Sequence, residues 1–249
     1  LWKAAIKWPL YSVAVMPVLL AVGWRLGAGK PVRFDQLLGF LLASVLLLLW
    51  ENLTNDLFDD ETGIDQFIKP HSVVALVGNR RTVGCVAYLS LLAGLLLMLF
   101  LAMRSSFSVL FLILASCALG YLYQGPPFRL GYQGLGEPLC WLAFGPFATA
   151  AALLVLSPNV HDGISIPWMT AITLGGGPSL ATTLVLFCSH FHQVSEDAAY
   201  GKRSPLVRLG TYRAASLVPW IIALILSLEW VPVIFGNLPI FMKIKVAPS

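Results

Sequence analysis

Along the chain, apolar and polar positions do not alternate; they separate into long apolar runs divided by short segments rich in charge, proline and glycine. No run shows the alternating signature of a membrane barrel strand. A helix needs about 20 apolar residues to cross a hydrocarbon core. The runs at 9–27, 35–54, 82–103, 106–123, 138–157, 168–189 and 213–235 fit that length and predict seven crossings. The remaining tail, GNLPIFMKIKVAPS, is too short and too interrupted for another. The expected fold class is all-α, a multi-span transmembrane helical bundle occupying residues 1–249 as one domain.

Composition strengthens this reading. The 249 residues are 58% hydrophobic and 11% charged, with a mean hydropathy of +0.81, well above that of a soluble domain. The bilayer is therefore the first expected partner. A net charge of +4 with dispersed basic residues gives no basis for nucleic-acid binding. Cys85, Cys117, Cys140 and Cys188 stand singly in apolar runs, which suits buried thiols better than metal ligands or disulfides. The opening LWKAAIKWP is too short for an intact signal or transit peptide, so an upstream segment is expected to be missing.

Alternating the seven crossings puts the N-terminus and loops 55–81, 124–137 and 190–212 on one side. Ten basic residues lie there against six on the other, which assigns it to the cytoplasm or the equivalent organellar compartment. Nine of the twelve acidic residues share that side, among them Glu51, Asp56, Asp59, Asp60, Glu61 and Asp65. Acids contribute little to insertion, so their concentration points to a site.

If the second span continues helically past Thr54, Asn55 and Asp59 stack on one face and Asp56 and Asp60 beside them. Like charges at that spacing repel unless a cation sits on them, and carboxylate and amide oxygens suit Mg²⁺ or Mn²⁺. A second cluster ends the sixth span in HFHQVSEDAAYGKRSPLVRLG, where Gln193 and Asp197 are four residues apart and Lys202 and Arg203 follow. His190 and His192 point to different helical faces and suit local hydrogen bonding. A third stretch, YLYQGPPFRLGYQGLGE, offers Tyr123, Arg129 and Tyr132 on a loop shaped by glycine and proline. An anionic head held through metal, with a tail lying between helices, describes the diphosphate of a lipid alcohol.

These segments resemble the UbiA superfamily of intramembrane prenyltransferases. NDLFDDETGID is similar to the first aspartate motif of its 1,4-dihydroxy-2-naphthoate prenyltransferase branch, through Asn55, Asp56, Asp59, Gly63 and Asp65. YQGPPFRLGYQGLGE and GKRSPLVRLGT resemble that branch's loops after the fourth and sixth helices, and the second cluster looks most like the cyanobacterial and chloroplast enzymes. The resemblance implies a helical bundle around a central cavity, nine helices in the family against seven here, with the last two expected to be lacking. It implies Mg²⁺-dependent transfer of a phytyl or polyprenyl chain from its diphosphate to the naphthoate, with loss of diphosphate and CO₂, on the route to phylloquinone or menaquinone. Asp56, Asp59 and Asp197 would be catalytic and, with Asp60, hold the metal. Asn55, Gln193, Lys69, Arg80, Lys202 and Arg203 would bind the substrates with Tyr123, Arg129 and Tyr132. Gln193 stands where the family motif has Asp. Phe144, Phe147 and Tyr123 are candidates for walls shielding an allylic cation.

Three other readings of the residues stay open. Gly175 to Ser179, GGGPS, is the kind of sequence that breaks a transporter helix near the midplane. A non-catalytic scaffold retaining such a site is the third, and another aromatic acceptor is a fourth.

Overall fold

The computed structural model describes residues 7–64, 72–158 and 165–234, and all regular structure among the described residues is helical. In chain order these are α1 (Ser12–Gly27), α2 (Phe34–Thr62), α3 (Val73–Val77), α4 (Arg80–Met103) and α5 (Phe107–Gln124). There follow α6 (Gly136–Val155), α7 (Trp168–Ser189), α8 (Val194–Ala199), α9 (Pro205–Leu209) and α10 (Thr211–Ile234). Seven of them, all but the short α3, α8 and α9, are long and apolar enough to cross a membrane.

Six spans begin and end within a few residues of the apolar runs. α2 differs, because it continues eight residues beyond the run's end at Thr54. A helix satisfies its own backbone, so polarity alone does not stop it. What stops it is Gly63, which takes the left-handed conformation at φ 75° and donates its N–H to Asp60 O. Asn55, Asp56, Asp59 and Asp60 therefore lie on continuous helix, as the clustered spacing required.

α7 corrects the transporter reading. It runs unbroken through Gly175–Pro178, and its glycines serve close packing. A Cβ on Gly175 would lie 2.3 Å from Thr149 Oγ1 and 2.9 Å from Gly145 O, so α6 and α7 approach almost backbone to backbone. Irregularity resides instead in α6, which makes a π turn at Ala143–Phe147 around Pro146. Gly175→Ala is expected to destabilise the bundle by about 1–3 kcal/mol, read as earlier thermal unfolding in detergent. Gly176→Ala is the control and should change little, since a Cβ there meets only Trp141 at 3.8 Å.

The main apolar core gathers Phe40 and Ala43 of α2, Met98 and Leu101 of α4, Leu112 of α5 and Val155 of α6, with Val18 of α1. These positions fall in the half of the bundle away from the acidic end of α2. A smaller cluster of Trp50, Leu53, Leu57, Val74, Val83 and Ala87 packs that end against α3 and α4. Phe187, Leu206 and Ala214 do the same for α7, α9 and α10. Both acidic ends thus stand on rigid supports.

Candidate functional site

Two carboxylates in the last turns of α2 are almost fully buried: Asp56 is 1% exposed and Asp59 5%. A carboxylate so placed must be paired or hydrogen-bonded. Asp56 Oδ1 meets Lys7 Nζ at 3.1 Å, and its Oδ2 accepts the Val73 backbone N–H at 2.9 Å from the start of α3. Asp59 Oδ1 accepts the Tyr132 hydroxyl at 3.0 Å, and Thr62 Oγ1 lies 2.9 Å from the same hydroxyl. Gln124, the last residue of α5, donates from Nε2 to Glu51 O and Thr54 Oγ1 and accepts from Asn55 Nδ2.

In the second cluster Asp197 is wholly inaccessible and His190 nearly so. Its Oδ2 lies 3.0 Å from His190 Nδ1, and Lys202 Nζ is 3.3 Å from Oδ1 without a well-directed hydrogen bond to that oxygen. Burial alone pushes the Asp197 carboxyl up. The His190 hydrogen bond and the Lys202 charge outweigh it and hold the pKa below the ordinary 3.8. A carboxylate depressed in the folded state contributes stability that is complete above its unfolded pKa and lost as pH falls through the folded value. Thermal unfolding should therefore move lower as pH drops below about 4, and Asp197→Asn should flatten that dependence.

Tyr132 joins the two clusters. Its hydroxyl binds Asp59, its carbonyl accepts the Arg203 N–H at 2.7 Å, and Lys202 Nζ stands 5.7 Å from its ring centre. Burial, with the Asp59 carboxylate beside it, raises the Tyr132 pKa, so the phenol stays a protonated donor. The two loops meet at Gly134, at φ 77°, where a Cβ would fall 2.5 Å from Arg203 O. Asn55, Asp59, Tyr123, Gln124, Gly131, Tyr132 and Lys202 line one polar pocket between the clusters.

Not every predicted residue lines that pocket: Asp56, paired with Lys7, and Asp197, paired with His190 and Lys202, do not. Arg80 and Arg129 both pair with Glu61 in the last turn of α2, and the Arg203 side chain is exposed. Asp60 is half-buried beside the pocket lining without being part of it. Gln193 does not share an unbroken helix with Asp197; the chain turns through a 3₁₀ segment at His190–His192, and Gln193, at φ −128°, caps α8 from outside it. Lys69 and Asp65 lie outside the described residues. Reasoning from sequence missed Lys7, Glu61 and Gln124, whose partners are 49 or more residues away except for the Arg80–Glu61 pair. His190 was expected to bond locally, and it does so with Asp197.

Among the described residues no three His, Cys, Asp or Glu side chains group closely enough to form a metal cage. The donors nevertheless fit a hard divalent cation. They are carboxylate and amide oxygens, Asn55 and Asp59 line the pocket, and Asp197 Oδ1 is buried without a hydrogen bond. Mg²⁺ typically takes one or two protein carboxylates and completes its shell with phosphate oxygens and water, which suits acids split between two walls.

The chain is 46% identical over 212 residues to the 2-carboxy-1,4-naphthoquinone phytyltransferase of Synechocystis, covering 85% of this chain and 66% of that protein. It is 45% identical over 235 residues to the chloroplastic 2-carboxy-1,4-naphthoquinone phytyltransferase of Arabidopsis thaliana, covering 92% of this chain and 59% of that one. It is 30% identical to the 1,4-dihydroxy-2-naphthoate octaprenyltransferase of Mycobacterium tuberculosis over 216 residues, 84% and 70% of the two chains. The chain thus spans about two thirds or less of the length of the two phytyltransferases. No solved structure matches it significantly. The UbiA prenyltransferase family matches residues 14–247, and this chain belongs to that family.

Proposed function

We propose that the protein is a prenyltransferase that moves a phytyl, or longer polyprenyl, chain from its diphosphate onto 1,4-dihydroxy-2-naphthoate, releasing diphosphate and CO₂ in quinone biosynthesis. The observation that carries this reading is the meeting of Asp59, Tyr132 and Lys202 in one pocket between two buried acidic clusters. The names of the two relatives near 45% identity favour phytyl over the octaprenyl of the relative at 30%.

Asp56, Asp59 and Asp197, with Asn55 and Asp60, are the residues to hold Mg²⁺ or Mn²⁺. Such an ion, when bound, neutralises charge that gathers on the departing diphosphate. Lys202 is the cation already at the pocket, placed by Asp197 to meet phosphate oxygens, and the Tyr132 phenol orients Asp59. The allylic C–O bond breaks with its electron pair leaving on the diphosphate. The ring carbon bearing the carboxylate attacks the allylic carbon, and loss of CO₂ returns the C–C bonding pair to the ring. The electron-rich dihydroxy form is the stronger nucleophile for that step.

The setting proposed is a chloroplast or cyanobacterial membrane, with the pocket on the stromal or cytoplasmic side. The test is product formation by purified protein in lipid nanodiscs with Mg²⁺, phytyl diphosphate and 1,4-dihydroxy-2-naphthoate. Demethylphylloquinol and diphosphate in equal amounts are expected. Neither product from this chain, nor from a version extended by two further helices, would overturn the proposal.

A further inference from the structure

Glu51 is an acid inside a membrane span that the diphosphate clamp does not use. It is half-buried, and among the described residues its carboxyl makes no hydrogen bond or ion pair, though its oxygens are not sealed from open space. An ionisable group at this depth is costly and calls for a partner. Glu51, Asn55 and Asp59 follow at i, i+4 and i+8 on one face of α2, and the latter two line the polar pocket. Glu51 therefore extends the pocket's polar stripe about 6 Å deeper into the bundle.

Its neighbours place it inside. A Cβ on Gly120 of α5 would lie 3.7 Å from the Glu51 carboxyl carbon. Gln124 fastens the Glu51 carbonyl to the pocket wall. A carboxyl in this position is poorly suited to a diphosphate, which it repels, and well suited to a neutral hydroxyl.

We propose that Glu51 binds the acceptor through the hydroxyl adjacent to its carboxylate-bearing ring carbon and acts as its general base. This rests on the prenyl-transfer reading of the site. As the new C–C bond forms, the hydroxyl proton passes to Glu51 and a ring carbonyl results. As CO₂ departs, its bonding pair restores the aromatic ring and the proton returns to oxygen, so the step consumes no external acid or oxidant. Glu51 thereby selects the dihydroxy form over the quinone, which has no hydroxyl to offer.

The experiment compares wild type with Glu51→Gln in nanodiscs under anaerobic conditions. Three quantities are measured: single-turnover prenyl transfer, binding of 1,4-dihydroxy-2-naphthoate against 2-carboxy-1,4-naphthoquinone, and binding of phytyl diphosphate with Mg²⁺. Glu51→Gln should slow transfer about a hundredfold. It should also erase a wild-type preference of about tenfold for the dihydroxy acceptor, while donor binding stays unchanged. A variant that transfers within about threefold of wild type and keeps the preference overturns this inference alone. A wild type that makes no product overturns the reading on which it rests.

Discussion

Asp56→Ala is expected to lower prenyl transfer by about a thousandfold or more with the bundle still assembled. The carboxylate is 1% exposed and engaged on both oxygens, by Lys7 and by the Val73 N–H, so its loss leaves an ammonium and a backbone donor without an acceptor. That penalty is local, because α2 is held independently by Leu53 and Leu57 in the cluster with Val83 and Ala87. Charge stabilisation at the leaving group is a term of this size in enzymes generally, and a ligand of the neutralising cation is its most direct source. Circular dichroism and thermal unfolding establish that the variant folds, and product formation reads the loss. Asp56→Asn separates the contributions, since the amide oxygen can still accept from Val73 while the charge is gone. Retention of activity in both variants would move the metal site elsewhere.

The second large effect belongs to Asp197→Ala, where a fall of about a hundredfold to a thousandfold is expected. Two consequences combine there. One carboxylate is removed from the clamp, and Lys202 and His190 lose the group that fixes them on the pocket wall. Both clusters act on one departing diphosphate, so the double variant Asp56→Ala with Asp197→Ala should be little slower than the slower single variant. Multiplicative losses would mean that the clusters serve different steps.

Much of this was legible in the chain itself. Seven uniform apolar runs specify the crossings because the bilayer permits almost nothing but helix there, and the Asn55 to Asp60 spacing requires only that α2 continue. What was not legible depends on tertiary contacts. Nothing local to Gln124 announces that it bridges Glu51, Thr54 and Asn55 from another helix. Arg80 and Arg129 read as available to substrate because sequence cannot show that Glu61 lies between them. The Gly175–Pro178 stretch reads equally as a broken helix or a packing surface, and only the approach of Thr149 decides.

The central claim is that two acidic clusters close on one diphosphate through a divalent cation. Equilibrium binding of a non-hydrolysable phytyl diphosphate analogue to the nanodisc-embedded protein, titrated with Mg²⁺, tests it most directly. The clamp predicts binding that requires Mg²⁺, is lost in Asp56→Ala and in Asp197→Ala separately, and survives in Glu51→Gln. Binding that is independent of Mg²⁺ and indifferent to both aspartates would contradict it.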